Sequence, residues 1–452
     1  MNTLLQILTA PWRACSTAAQ RFLVMSLAGR IAWTVAFLQC FVVVMTLVVI
    51  LVTGGAVVFE TWWTPAKAFS LLVLMVVIPA LVYYSARLWF HYETVYWRDI
   101  DKAWHEAMVE VDRHGIALGS TPLFIVLGGD GGSRDEALFA KCPIHFDVHA
   151  APSGSAPFHV YAGPDAIFVC LATVGQTCKV MSQQGGSSQD EMVALRSGER
   201  VEASDRLRTL CERIRNARQP VAPANGVIAL VPAAHPDQQR FGAVVGSALS
   251  EDMITMAVTF GLRIPVTIVG VGVETLRGFE TLLNRLPAGT ATISMGEAFP
   301  VGRIPSESDI ELLTEAACGR LSDRAGSILL DPKSLPLSQE NRLLVALLCQ
   351  LRLEVAPLLA GILKRGLEYA AHSDAKPVLA GCYLMPVSAE PQEVCFNTDL
   401  FSRVIEVQGE LEWTQSTLQR HRQYGYVARA LMALNTLMGI AWVAILWWRL
   451  SR

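Results

Sequence analysis

The sequence predicts an α/β domain carried by three membrane-spanning helices. Three observations support this. Three long uncharged stretches account for the excess of apolar residues. Between the second and third, short apolar runs alternate with segments of helical length. The first of these runs, Leu123–Leu127, enters a glycine-rich turn that opens a helix, the outline of a phosphate-binding loop.

The chain has 452 residues, 52% hydrophobic and 17% charged, with mean hydropathy +0.37. That is too apolar for an ordinary soluble protein. Ile31–Phe59 is uncharged and long enough to cross a bilayer. Ala68–Ala86 is a second span, interrupted by Pro79, which membrane helices tolerate. Ala430–Trp448 is a third, with Asn435 its most polar residue. Asn435 and Gln39 are candidates for hydrogen bonds between helices.

Arg13, Arg21 and Arg30 precede the first span. Arg87 and Arg98 follow the second, and Arg420, Arg422 and Arg429 precede the third. The loop between the first two holds only Glu60 and Lys67. Positive flanks therefore place residues 1–30 and the middle region in the cytoplasm and the C-terminus across the membrane. Trp62, Trp63, Trp447 and Trp448 fall at interface depth on the far side. The first span is too long for a signal peptide. The ten cysteines show neither C-x-x-C pairs nor metal-ligand spacing. A net charge of −3 gives no electrostatic footprint for nucleic acid.

The expected organisation is a cytoplasmic N-terminus (1–30), a transmembrane hairpin (31–91), an α/β region (92–305), a helical extension (306–425), and a third span with a short tail (426–452). In the α/β region Trp97–Gly115 has helical spacing and leads to the Leu123 strand. Strands are expected at Phe158–Ala162, Ala166–Leu171, Val227–Val231 and Pro265–Val271. The last three are nearly continuous hydrophobes, as in strands buried on both faces. Pro236–Gly261 is of helical length, and the alternation implies a parallel sheet with right-handed crossovers. Ala151–Pro157 and Ser182–Ser197 read as loops. In the extension, Asp309–Arg324 and Gln339–Ala371 read as helices, Pro377–Met385 as a strand, and Leu400–Arg422 as an amphipathic helix.

A working phosphate loop reads G-x-x-x-x-G-K-[ST]. Here the eight positions are Gly128, Gly129, Asp130, Gly131, Gly132, Ser133, Arg134 and Asp135. Only the first glycine is in place. Arginine replaces lysine, and a carboxylate replaces the magnesium-binding hydroxyl. A carboxylate about 4 Å from a phosphate oxygen costs on the order of 4 kcal/mol at an effective dielectric near 20. That is roughly a thousandfold in affinity. At a helix N-terminus, Asp130 and Asp135 instead complement the dipole as a phosphate would, so the loop is expected to be capped by its own acids.

Other groups are weaker candidates. His145, Asp147 and His149 are expected to share one strand face, with Cys142 and His159 nearby, a set of borderline metal ligands. The plainer reading is a polar strand face. Cys170 and Cys178 read as buried thiols, because no base is identifiable beside them.

The chain resembles the N-terminal membrane and cytoplasmic part of the IcmF/TssM family, the inner-membrane scaffold of type VI and type IVB secretion systems. TPLFIVLGGDGGSRDEALF (Thr121–Phe139) is similar to the family's P-W-Y-x-V-I-G-x-P-G-x-G-K-T-T-L, and DAIFVCLA (Asp165–Ala172) to E-A-V-L-I-D-T-A-G. PANGVIALVPA (Pro223–Ala233) is similar to the P-[IL]-N-G-V-[IL] strand. LRIPVTIVGVGVETLRGF (Leu262–Phe279) resembles L-P-V-Y-V-L-F-T-K-x-D-L-[IL]-x-G-F. PVLAGCYLMPV (Pro377–Val387) and DLFSRVIE (Asp399–Glu406) resemble P-L-L-R-G-F-Y-F-T-S and D-L-F-R-x-V-I. These occur in family order. Family members continue into a large periplasmic domain after the third span, a part that these residues do not include.

The resemblance implies a P-loop NTPase-like fold whose three nucleotide motifs have all decayed. Cys170 stands where the D-T-A-G aspartate would be. The T-K-x-D position reads Val271, Gly272, Val273 and Glu274, so Gly272 replaces the lysine and Glu274 the aspartate. The expectation is a pseudo-NTPase with no cofactor or metal that acts as a scaffold in the bacterial inner membrane. The resemblance implies a DotU/TssL-like inner-membrane partner, contacts to a secretion baseplate, and assembly into homo- or hetero-oligomers. Two alternatives stay open: a nucleotide-gated switch that uses Arg134 and Glu274, and a regulatory paralogue that competes with a full-length scaffold.

Overall fold

The computed structural model describes residues 31–46, 48, 65–92, 97–139, 142–183, 195–235, 238–286, 295–332, 337–371, 377–386, 398–419, 422–423 and 426. The third predicted span, with Asn435, lies outside the described residues, as do residues 1–30 and 49–59. The chain divides into two units, 1–96 with 423–452, and 97–422.

In the first unit, α1 (Ile31–Thr46) and α2 (Pro65–Tyr92) carry apolar side chains around their surfaces. Trp33, Phe37 and Leu38 on α1 and Phe69, Val76 and Leu81 on α2 are exposed. A helix that is apolar on all sides and unburied needs an apolar solvent. The apolar stretches of α1 and α2 among the described residues, 31–46 and 69–85, are each shorter than the roughly 20 residues of a full span. The Gln39 amide donates to the Leu74 carbonyl at 3.2 Å, so the polar residue expected to pair helices does so. That carbonyl neighbours the one at Met75, which loses its helical donor because Pro79 has no N–H.

The second unit is built on an eight-stranded sheet of order β2-β3-β4-β1-β5-β7-β9-β8. Its strands are β1 (Leu123–Leu127), β2 (Val148–Ala151), β3 (Phe158–Ala162), β4 (Ile167–Leu171), β5 (Gly226–Pro232), β7 (Pro265–Val271), β8 (Gly296–Ala298) and β9 (Val378–Met385). The five central strands, β4, β1, β5, β7 and β9, are parallel. β2, β3 and β8 pair antiparallel at the edges. The run Phe158–Ala162 therefore departs from the all-parallel expectation. Residues 163–166 are too few for a crossover, so β3 and β4 form a hairpin.

The helices are α3 (Arg98–Arg113), α4 (Ser133–Phe139), α5 (Gln176–Gln183), α6 (Ser197–Arg218), α7 (Gln238–Phe260), α8 (Phe279–Arg285), α9 (Glu307–Leu330), α10 (Ser338–Gln350), α11 (Ala356–Ala371) and α12 (Thr398–Glu406). Ser306 starts α9 with a capping box, its hydroxyl accepting from the Asp309 N–H. A π-helical turn, Leu351–Val355, joins α10 to α11, so the expected helix Gln339–Ala371 is continuous but underwound there.

Alternation along each strand splits the core in two. Leu123, Ile125 and Leu127 face a large cluster formed with helices that include α3, α6, α7 and α11. Phe124 and Val126 face a smaller aromatic cluster with α4 and α12, where Phe139 lies 5.2 Å from Phe168 and 5.9 Å from Phe401. The windows 240–260 and 338–367 are long and apolar enough to cross a membrane by composition alone. Here Val245, Leu249, Met256, Leu358 and Ile362 are buried in the large cluster, so both windows serve as core helices.

β9 completes the sheet beside β7, so the line drawn at 305/306 falls inside one unit. The helix expected over Leu400–Arg422 is broken rather than continuous: it stops at Glu406, and residues 415–419 are helical again. A turn through Gly409 follows, and β10 (Glu412–Trp413) pairs antiparallel with β6 (Leu262–Arg263).

Candidate functional site: the glycine loop and its surroundings

β1, β4 and β7 run parallel, so the loops that follow them gather at the carboxyl edge of the sheet, where open α/β folds place their sites. Residues 128–135 leave β1, Cys170–Thr173 close β4, and Gly272–Glu274 follow β7. The three sequence-predicted positions thus share one edge.

The glycine loop is filled from within. Oδ1 of Asp130 accepts the Gly132 N–H at 2.9 Å and the Arg134 N–H at 3.1 Å, and Oδ2 accepts the Ser133 hydroxyl at 3.3 Å. Oδ2 of Asp135 accepts the Gly131 N–H at 3.1 Å. Backbone donors that would wrap a phosphate are therefore held by two carboxylates of the loop itself. Arg134 turns inward as well, and its Nη1 donates to the Gly128 carbonyl at 2.8 Å.

Asp135 is buried, and its Oδ1 has no hydrogen-bond partner. Burial, then the neighbouring charge of Asp130, raises its pKa to about 7 against the opposing Gly131 N–H and Arg134. Gly131 takes φ +70°, and a Cβ there would stand 2.9 Å from His159 Nε2. His159 is buried and donates from Nδ1 to the Pro152 carbonyl at 3.0 Å, which turns its Nε2 towards the loop.

Two cysteines back the loop. The Gly128 N–H donates to Cys178 Sγ at 3.2 Å, and that thiol donates to the Leu171 carbonyl at 3.2 Å. Cys170 lies on β4 opposite Val126 and is fully buried. Burial pushes both thiols upward, so each stays protonated and inert near neutrality. Gly272 precedes the short turn Val273–Thr275, and Glu274 is half-buried within it.

The histidine set does not assemble as expected. Only Val148–Ala151 is strand, because the partner strand β3 ends at Ala162, opposite Val148. His145 and Asp147 precede the strand, 3.4 Å apart, with His145 exposed. His149 meets the Tyr161 ring edge-on, and His159 belongs to the glycine loop. No three metal-ligating side chains converge among the described residues.

Two functional neighbours had not been expected from the sequence. Asp252, buried on α7, accepts the Gln176 and Thr177 N–H groups at 2.8 and 2.7 Å and so caps α5 from 75 residues away. Burial raises its pKa to about 6. Its signal was a carboxylate in register with the buried face Val245, Ala248, Leu249 and Met256. Arg218, at the end of α6, donates to the carbonyls of Leu118, Thr121 and Ala222 and holds the approach to β1.

Residues 200–434 match a family model described as the IcmF-related N-terminal domain. The match contains β5, β7, β9, Gly272 and Glu274, and begins after the glycine loop and Cys170. No curated protein and no solved structure matches the chain.

Proposed function

The chain belongs to the IcmF-related family, and on that premise we propose that it is a non-catalytic, membrane-associated scaffold subunit of a type VI or type IVB secretion apparatus. The observation that carries this reading is the self-closed glycine loop, in which Asp130 and Asp135 occupy the N–H groups that a nucleotide phosphate would need. We read the 97–422 unit as a degenerate P-loop NTPase-like domain. The strand–glycine loop–helix at β1, flanked by parallel β4 and β5, supports that reading. The decay at Cys170, Gly272 and Glu274 agrees with a domain kept for its shape.

The arginine-rich flanks favour a bacterial inner-membrane, multi-pass protein with its N-terminus and main domain in the cytoplasm and its C-terminus in the periplasm. Its partners would be a DotU/TssL-like inner-membrane protein and baseplate components, gathered in a homo- or hetero-oligomer. Affinity purification from native membranes with mass spectrometry tests this. Recovery of a DotU-like protein is expected, and its absence would count against the scaffold and against a competing paralogue alike.

Equilibrium binding of labelled ATP and GTP separates the nucleotide-switch alternative. On the scaffold reading no Mg²⁺-dependent affinity in the micromolar range is expected. Such affinity would mean that the loop opens and that Arg134 leaves the Gly128 carbonyl.

A further inference from the structure

The carboxyl of Asp135 is buried with one oxygen unpaired. The residue is 1% exposed although it stands in the first turn of α4. Oδ2 accepts the Gly131 N–H, while Oδ1 has no hydrogen-bond partner. Oδ1 is pressed against the backbone of Gly129, where a Cβ would stand 2.5 Å from it and 2.8 Å from the Leu171 carbonyl oxygen. That corner offers Oδ1 an acceptor and no donor. A protonated carboxyl suits it, because an O–H can point at an acceptor; a carboxylate does not.

The groups around Asp135 do little for an ionised carboxyl. Asp130 adds a like charge, and Arg134, which opposes it, has its Nη1 on the Gly128 carbonyl. Glu136, the next residue, is exposed. From the elements packed against the loop come Tyr161 and His159 on β3, Cys170 on β4 and Cys178 on α5. Burial pushes Tyr161 and both thiols upward, so all three stay neutral. His159 has its Nδ1 on the Pro152 carbonyl and its Nε2 against Gly131.

Helix α4 is unevenly anchored. Its last residues, Leu138 and Phe139, are buried in the aromatic cluster. Its first turn is held by the Glu136 N–H on the Gly132 carbonyl and by the two loop acids. Seven residues are too few for a helix that stands without such support.

We propose that Asp135 is a proton-operated latch on the glycine loop. In the closed loop the neutral carboxyl lies against Gly129. Loss of the proton leaves a buried charge with a single donor, the Gly131 N–H, and the side chain moves out to water. The Gly131 N–H and the first turn of α4 are then released, while Leu138 and Phe139 keep the helix on the domain. Burial and Asp130 raise the Asp135 pKa from 3.8 to about 7 in the closed loop, and the open loop restores the ordinary value. Opening therefore grows more favourable from about pH 4 to about pH 7 and levels off above.

The test is hydrogen exchange read by mass spectrometry on the full chain in nanodiscs between about pH 5 and 8, corrected for the intrinsic pH dependence of amide exchange. The opening constant of peptides covering 128–139 should rise by about fifty- to a hundredfold and flatten above about pH 7. Asp135→Asn, which has no proton to lose, should exchange at a constant corrected rate. Asp130→Asn should move the plateau to lower pH, because a like charge is gone. His159→Gln should keep the wild-type profile. Peptides of β5 should stay slower at every pH, which marks the opening as local. A rise that persists in Asp135→Asn, or that disappears in His159→Gln, would overturn the latch. So would loop peptides that exchange as slowly as β5 at every pH, since the loop would then open only when the domain unfolds.

Discussion

Asp135→Asn should flatten the dependence of the domain's stability on pH. In the folded chain the Asp135 pKa is raised from 3.8 to about 7 by burial and by Asp130. The unfolded chain releases this proton near pH 4, while the folded chain keeps it until about pH 7. Between those values the folded state binds more protons, so stability falls as pH rises. The contribution is full below pH 4 and gone above pH 7. At about 1.4 kcal/mol per decade of proton affinity, the interval amounts to about 4 kcal/mol. Asn keeps the shape and an oxygen for the Gly131 N–H but cannot titrate. Thermal melts of the full chain in nanodiscs, followed by tryptophan fluorescence from pH 4.5 to 8, give the comparison. The wild type should lose roughly 5–10 °C more than the variant across that range. Asp252, raised to about 6, titrates with the same sign in both proteins, so the difference between them isolates Asp135. Equal slopes in the two proteins, or a wild type that gains stability towards pH 8, would refute the reasoning.

Arg218→Ala should cost about 1–3 kcal/mol, because it strands the buried Thr121 carbonyl and the half-buried carbonyls of Leu118 and Ala222, and a urea midpoint reads it; Arg218→Lys should recover only part. Gly131→Ala should lower the melting temperature by an amount equivalent to about 1–3 kcal/mol, since φ is +70° and the new methyl meets His159. Gln39→Leu removes the contact with the Leu74 carbonyl, worth about 0.6 kcal/mol in a bilayer, and should speed hydrogen exchange around Leu74 about threefold.

The strands that carry the sheet were legible where both faces are buried. Ile167–Leu171, Gly226–Pro232 and Pro265–Val271 are almost unbroken apolar runs because nothing polar fits on either side. Edge strands were not legible: Gly296–Ala298 has three residues and is defined only by pairing with β9. Helix Ser197–Arg218 was also missed, because its buried residues Ala203, Leu207, Leu210 and Ile214 are spaced by charges and form no run. The acids of the glycine loop were readable from their place at a helix start. The loop's partners Cys178 and His159 were not, because the fold brings them from 28 or more residues downstream.

The position of β9 has a consequence for how the chain is made. Its seven partners on β7 have been synthesised more than a hundred residues before it leaves the ribosome. Throughout that interval the nascent sheet ends in an open, largely apolar edge at Pro265–Val271. Translation order therefore makes the last third of the domain a guardian of the first two. A chain halted before residue 378 presents that edge to its neighbours, and should be recovered in aggregates or bound to chaperones rather than as a shorter folded protein.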